Sequence, residues 1–173
     1  QGEDKLTKGL KQEGLALSLP NMRVLAEKYA QIFKQDLDLL NIKTTETLFP
    51  YASDYIEAQI ELVKKLEEKD FVYIGKNGIY FDTLKFPDYG KLCNINIAGL
   101  KEGARVVEDS EKRSPTDFLL WKTDSKFGWP SPWGMGFPGW HIECSAMILK
   151  LLGEQIDIHT GGIEHVGVHH NNE

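Results

Sequence analysis

The sequence predicts an α/β fold, and three observations carry that reading. Apolar residues recur at helical spacing over residues 22–40 and 52–68. Two β-rich runs, Phe71-Val72-Tyr73-Ile74-Gly75 and Gly78-Ile79-Tyr80-Phe81-Asp82, flank Lys76-Asn77 as the arms of a hairpin. Residues 138–162 then read as a helix to Leu152, a glycine stop at Gly153, a short apolar strand at 155–158 and a glycine turn at Gly161-Gly162, which is half of a parallel β/α unit.

Residues 3–14 are polar with Leu6 and Leu10 one turn apart, so a short helix is expected despite Gly9. Ser18-Leu19-Pro20-Asn21 opens the next helix, whose stripe of Met22, Leu25, Tyr29, Ile32, Phe33, Asp36, Leu37 and Leu40 reads as core. A threonine-rich connector ending at Pro50 marks a boundary. The helix over 52–68 places Tyr55, Ile56, Ile60, Val63 and Leu66 on one face, with a cap expected at Ser53 or Asp54. In the hairpin, Asn77-Gly78 is favoured because both residues tolerate positive φ. Beyond it the pattern weakens: Asp88-Tyr89-Gly90 suggests a turn, 95–100 a helical segment or loop, and 105–107 a brief strand. Residues 117–121 form an apolar run expected to lead back to a main sheet. The loop at 123–137 carries Trp129 and Trp133, expected to pack over a ligand pocket or, equally, to form a satellite apolar cluster.

The 173 residues, 41% hydrophobic and 27% charged, suffice for the core of about one domain. No apolar run approaches the roughly 18 residues needed to span a bilayer. With no export signal, a cytoplasmic setting and reduced thiols at Cys93 and Cys144 are expected. A net charge of −6 excludes a surface given over to nucleic acid, so any RNA contact is local. Oligomeric state is not encoded in any motif, and a monomer is favoured.

The chemistry-bearing residues gather near the C-terminal end. His169 and Glu173 are four apart, so on a helical turn they leave the same face and can grip one cation. Cys144 lies 25 residues before His169, a length that holds the β/α half-unit and returns the chain toward the start of the preceding helix. Sulfur, nitrogen and oxygen together suit zinc better than magnesium or calcium. The same residues also read as a small buried hydrophobe, an ordinary imidazole and a solvated charge. Spacing does not choose between the two, because this pattern is not that of a zinc finger.

Ser131-Pro132-Trp133-Gly134, Pro138-Gly139-Trp140-His141-Ile142-Glu143-Cys144-Ser145-Ala146-Met147, Asp157-Ile158-His159 with Gly161-Gly162, and His169-His170 with Asn172-Glu173 resemble, in order and spacing, the signatures of the cysteinyl-tRNA synthetases. The resemblance continues upstream through Asp117-Phe118 with Leu120-Trp121-Lys122, Gly103-Ala104-Arg105-Val106, Asp88-Tyr89-Gly90-Lys91-Leu92 and Glu3-Asp4-Lys5. It implies part of a Rossmann-type class I synthetase catalytic domain, interrupted by an α+β connective insertion with a β-hairpin. Residues 1–44 would end the first half of the nucleotide-binding domain, 45–135 form the insertion, and 136–173 begin the second half.

The resemblance further implies ATP-dependent activation of L-cysteine, with Mg2+, to cysteinyl-adenylate, and transfer to tRNA(Cys). It makes Cys144, His169 and Glu173 zinc ligands, with a further cysteine ligand upstream of Gln1, and lines the cysteine pocket with Trp140 and His159. Trp140 would otherwise be a core anchor and His159 a capped strand end, while His141, His165 and His170 are expected to be structural or to support the ligands. Thr160, Glu164 and Asn171 depart from the family's usual glycine, aspartate and glutamate. The family's His-Ile-Gly-His-like and Lys-Met-Ser-Lys-Ser-like phosphate motifs do not occur here, so these residues alone are expected to read background in ATP–pyrophosphate exchange. Two other readings share the chemistry: a ligase that passes cysteine from the same adenylate to an amino sugar, and a non-catalytic zinc-binding module.

Overall fold

The computed structural model describes residues 5–92, 111–124, 126–167 and 169–173, which form two compact units, 1–49 and 50–173. The turn expected at Asp88-Tyr89-Gly90 is present, whereas the segment expected at 95–100, the brief strand expected at 105–107 and Cys93 lie outside the described residues.

The first unit holds α1 (Lys5–Gln12) and α2 (Leu19–Leu39). Ser18 caps α2 in extended conformation, its Oγ accepting from the Asn21 N–H at 3.2 Å, with proline in the first turn. At the other end Asn41 takes φ 56, the Ile42 N–H donates to Leu37 O and the Asn41 N–H to Asp38 O, so a left-handed residue stops the helix. The expected core stripe is only partly buried. Leu25 is enclosed against α1 beside Gly9, whereas Tyr29, Ile32, Phe33 and Leu40 are exposed. The reason is length: eight residues of α1 span about 12 Å of a helix some 30 Å long.

The second unit is a four-stranded antiparallel sheet, ordered β1-β2-β3-β4, with one helix against it and a second helix packed on the first. A 3-10 turn at Ala52–Asp54 precedes α3 (Ile56–Glu68), so the expected single helix is split. Its N-cap is Tyr55, which makes no side-chain cap bond; neither Ser53 nor Asp54 caps it. Asp70 (φ 62) ends α3 with the same left-handed stop as Asn41. β1 (Val72–Gly75) and β2 (Gly78–Phe81) form the hairpin, in register Gly75↔Gly78. β3 (Phe118–Thr123) pairs with β2, and β4 (Gly136–Pro138) with β3. The 117–121 run thus stays within this sheet rather than leaving for another. α4 (Ile142–Leu151) starts later than expected because Gly136–Pro138 is drawn into the ladder.

Ile56 and Val63 of α3, Ile79, Phe118, Leu120 and Trp121 of the sheet, and Ile142 of α4 form the core. Trp133 tilts against Trp121 at 6.2 Å and Trp129 meets Phe137 edge-on at 5.5 Å. The aromatic loop therefore packs on this core rather than over a ligand pocket. Residues 155–158 form no strand, and Ile158 is 83% exposed. A strand exists through its ladder, and no described strand pairs with these residues.

Gly78 sits at φ 144, and a Cβ there would lie 1.9 Å from the Trp121 carbonyl oxygen. Of the two turn residues expected to take positive φ, only this one does. Gly78→Ala is expected to open the β2–β3 register, costing about 3 kcal/mol or more. Amide exchange across β2 and β3 checks this, and unchanged protection would contradict it.

Candidate metal centre

The start of α4 faces the turn at the end of the chain. Cys144 lies in the first turn of the helix and is a free, half-buried thiol. Residues 169–173 close one helical turn, with the Asn172 and Glu173 N–H groups donating to His169 O at 2.8 and 3.2 Å. His169 Nε2 consequently lies 3.0 Å from Glu173 Oε1. Ser145 Oγ donates to the Glu173 carbonyl at 3.1 Å, tying the turn to α4.

One ligand atom from each of Cys144, His169 and Glu173 lies within 4.8 Å of the other two. Two ligands each about 2.0–2.3 Å from one zinc ion sit at most about 4.6 Å apart, so small rotamer changes close the set. The donors fit zinc in type as well: one sulfur, one imidazole and one carboxylate.

Burial and mutual hydrogen bonds set the charge state of these groups. Burial, reinforced by the Glu173 carboxylate, pushes the Cys144 thiol up to about 11, so without a cation it keeps its proton. Burial disfavours ionised Glu173, yet hydrogen bonds from His159 and His170 and the nearby His169 hold its pKa below the ordinary carboxylate value. Burial also lowers His169, against the pull of Glu173, and lowers buried His141 to about 4.

A directed hydrogen-bond chain fixes how His169 is held. Burial, with Asp117 nearby, pushes the Tyr89 hydroxyl up to about 12, so it donates to Asn172 Oδ1 at 2.5 Å. Asn172 Nδ2 then donates to His141 Nε2 at 3.0 Å. His141 Nδ1 lies 2.7 Å from His169 Nδ1, so one hydrogen bond joins the two rings through these nitrogens. His169 Nε2 is the nitrogen left facing Glu173 Oε1, at 3.0 Å. Each ring orientation is set by the one before it, as in the outer shells of metal sites.

Trp140 is 53% exposed and stacks on His169, 4.6 Å between centroids at 18°, so it faces the cluster and is not a core anchor. His159, exposed in the irregular backbone after 155–158, reaches back so that Nε2 lies 2.6 Å from Glu173 Oε2. His170 Nδ1 meets the same oxygen at 3.2 Å, and His165 packs edge-on against Trp140 at 5.8 Å. The structure therefore brings together Cys144, His169, Glu173, Trp140 and His159. Sequence reasoning missed Tyr89 and Asn172 as supports. Asn172, three residues after His169, was findable from helical spacing. Tyr89 is 83 residues away, and its place in the family-like segment 88–92 gave no hint of this contact.

A family model described as tRNA synthetases class I (C) catalytic domain matches residues 3–173. The chain belongs to this family. Among the synthetases it resembles, the cysteine–tRNA ligase of Treponema denticola is 47% identical over 99% of the chain. That of Pyrococcus furiosus is 44% identical over 99%, and cysteine–tRNA ligase 1 of Burkholderia lata 43% over 100%. The chain spans only about a third of these synthetases, 35%, 35% and 36% of their respective lengths. None of its described helices is long and apolar enough to cross a membrane.

Proposed function

We propose that this chain is the cysteine-recognising part of a cysteine–tRNA ligase, which activates L-cysteine with ATP and Mg2+ to cysteinyl-adenylate and then transfers the cysteinyl group to tRNA(Cys). The observation that carries the reading is the convergence of Cys144, His169 and Glu173 within 4.8 Å. Residues 1–44 are assigned to the end of the first half of a Rossmann-type catalytic domain, 45–135 to its connective insertion, and 136–173 to the start of the second half.

Cys144, His169 and Glu173 would hold zinc, and the bound ion supplies a soft, acidifying centre that prefers a thiol to a hydroxyl. Cysteine and serine differ by one atom, and an apolar pocket separates such near-isosteres by only about a hundredfold. The chain's residues do the rest. Glu173 brings negative charge that balances the cation, and the Tyr89–Asn172–His141 chain aims His169. Trp140, half-exposed, stacks on His169 beside the cluster, and His159 offers an imidazole on the solvent side, where a substrate amine or carboxylate would lie.

ATP–pyrophosphate exchange by the full-length protein, with cysteine and serine in parallel, tests the reading. Cysteine is expected to be preferred by about 10⁴-fold or more in kcat/KM. A preference under a hundredfold, or no exchange with either amino acid, overturns it.

A further inference from the structure

A second set of ligand atoms stands beside the Cys144 triad and shares one residue with it. His159, His170 and Glu173 each offer a ligand atom, and these lie within 4.8 Å of one another. Glu173 divides its two oxygens between the sets. Oε1 faces His169 Nε2 at 3.0 Å, whereas Oε2 faces His159 Nε2 at 2.6 Å and His170 Nδ1 at 3.2 Å. A carboxylate that turns one oxygen to each of two donor sets is placed to bridge two cations. We infer that His159, His170 and Glu173 form a second site, for a first-row divalent metal ion, with Glu173 bridging it to the first.

The donor set decides which ions it takes. Two imidazoles and one carboxylate suit zinc, copper, nickel or cobalt, and the lack of sulfur removes any preference for soft ions. The site is half preformed. The Glu173 and His170 side chains are 8% and 14% exposed, and the His170 ring rests against Gly161, where a Cβ would lie 2.5 Å from Cε1. His159, 37% exposed, leaves the solvent side open for entry. Because a carboxylate shared with one cation has less charge to give a second, and the two cations repel, the second site fills after the first and more weakly.

The consequence rests on the reading above, in which His159 faces the cysteine substrate. An ion bound to His159 takes that imidazole away from the substrate, so excess metal inhibits cysteine binding. Inhibition of this kind is reversed by a mild chelator that leaves the first ion in place.

The test is a cobalt titration of metal-free full-length protein, followed by absorption spectroscopy and bound-metal analysis. Wild type is expected to take up a first equivalent with a sulfur-to-cobalt charge-transfer band, then a weaker one that leaves this band unchanged. His159→Ala and His170→Gln are each expected to weaken the second uptake by more than about tenfold, since loss of even an outer support costs that much, while the charge-transfer band persists. His159 is exposed and lies outside every helix and strand, so its variant folds. A single equivalent in wild type, or a second that survives both substitutions, means these residues merely hydrogen-bond, and overturns the inference. A second uptake sensitive to His159 without any charge-transfer band in the first supports this site and separately refutes the Cys144 reading.

Discussion

Full-length protein carrying Cys144→Ala is expected to keep less than about a tenth of its zinc after dialysis, and its preference for cysteine over serine to collapse from about 10⁴ towards a hundredfold or below. The argument runs through the donors. Cys144 is the only thiol among the described residues. Without it the cluster keeps His169 and Glu173, a pair that serves harder cations as well as zinc. Selectivity for a mercapto group needs a centre tuned by sulfur, so discrimination falls further than overall affinity. Cys144→Ser separates the two effects: it retains shape and a polar atom, but not a soft donor. Folding should survive, because the side chain is small and half-buried, and the loss belongs to the ordinary range of about 1 kcal/mol. Metal analysis on folded protein decides the matter independently of activity. Undiminished zinc in Cys144→Ala would remove the centre from the mechanism altogether.

The sites that were legible in the sequence were those where spacing acts locally. His169 and Glu173 meet because one helical turn separates them, and the hairpin forms because Gly78 accepts a φ that a side chain would resist. Ser18 could be read as a cap from its place before Leu19-Pro20. What escaped was set by tertiary partners. Whether Ile32 or Phe33 is buried depends on what lies across α2, which periodicity does not state. The strand expected at 155–158 had the right composition but no described neighbour to bond, and Gly136–Pro138, short and unremarkable in sequence, became a strand because β3 lay beside it. Tyr89 illustrates the limit best. Its turn was readable, while its hydroxyl matters only because folding carries it to Asn172. The same contact links the 88–90 turn to the cluster, so that turn helps to orient His169 through Asn172 and His141.

Asp117→Ala is expected to be the most disruptive single change outside the cluster, costing the β1–β2–β3 region about 3–5 kcal/mol. Asp117 is 1% exposed at the entrance to β3 and accepts four hydrogen bonds. Oδ2 takes the Tyr73 hydroxyl and the Ser114 N–H, both at 2.9 Å, and Oδ1 takes the Thr83 N–H at 3.0 Å and the Thr83 hydroxyl at 2.8 Å. Three separate segments are thereby pinned to one carboxylate. Tyr73 cannot simply rotate to another partner: burial pushes its hydroxyl up to about 12, and its oxygen already accepts the Arg113 N–H at 3.0 Å. Alanine strands these donors in a dry site, each costing about 1–3 kcal/mol if no water enters. Asp117→Asn keeps one acceptor but turns an amide N–H2 toward groups that are themselves donors, so its cost should fall between those of wild type and alanine. Because the protein has more than one compact unit, global melting mixes their responses, and amide exchange of β1, β2 and β3 is the proper readout. A loss below about 1 kcal/mol in Asp117→Ala would mean that water replaces the carboxylate, and that the sheet rather than this junction holds the segments together.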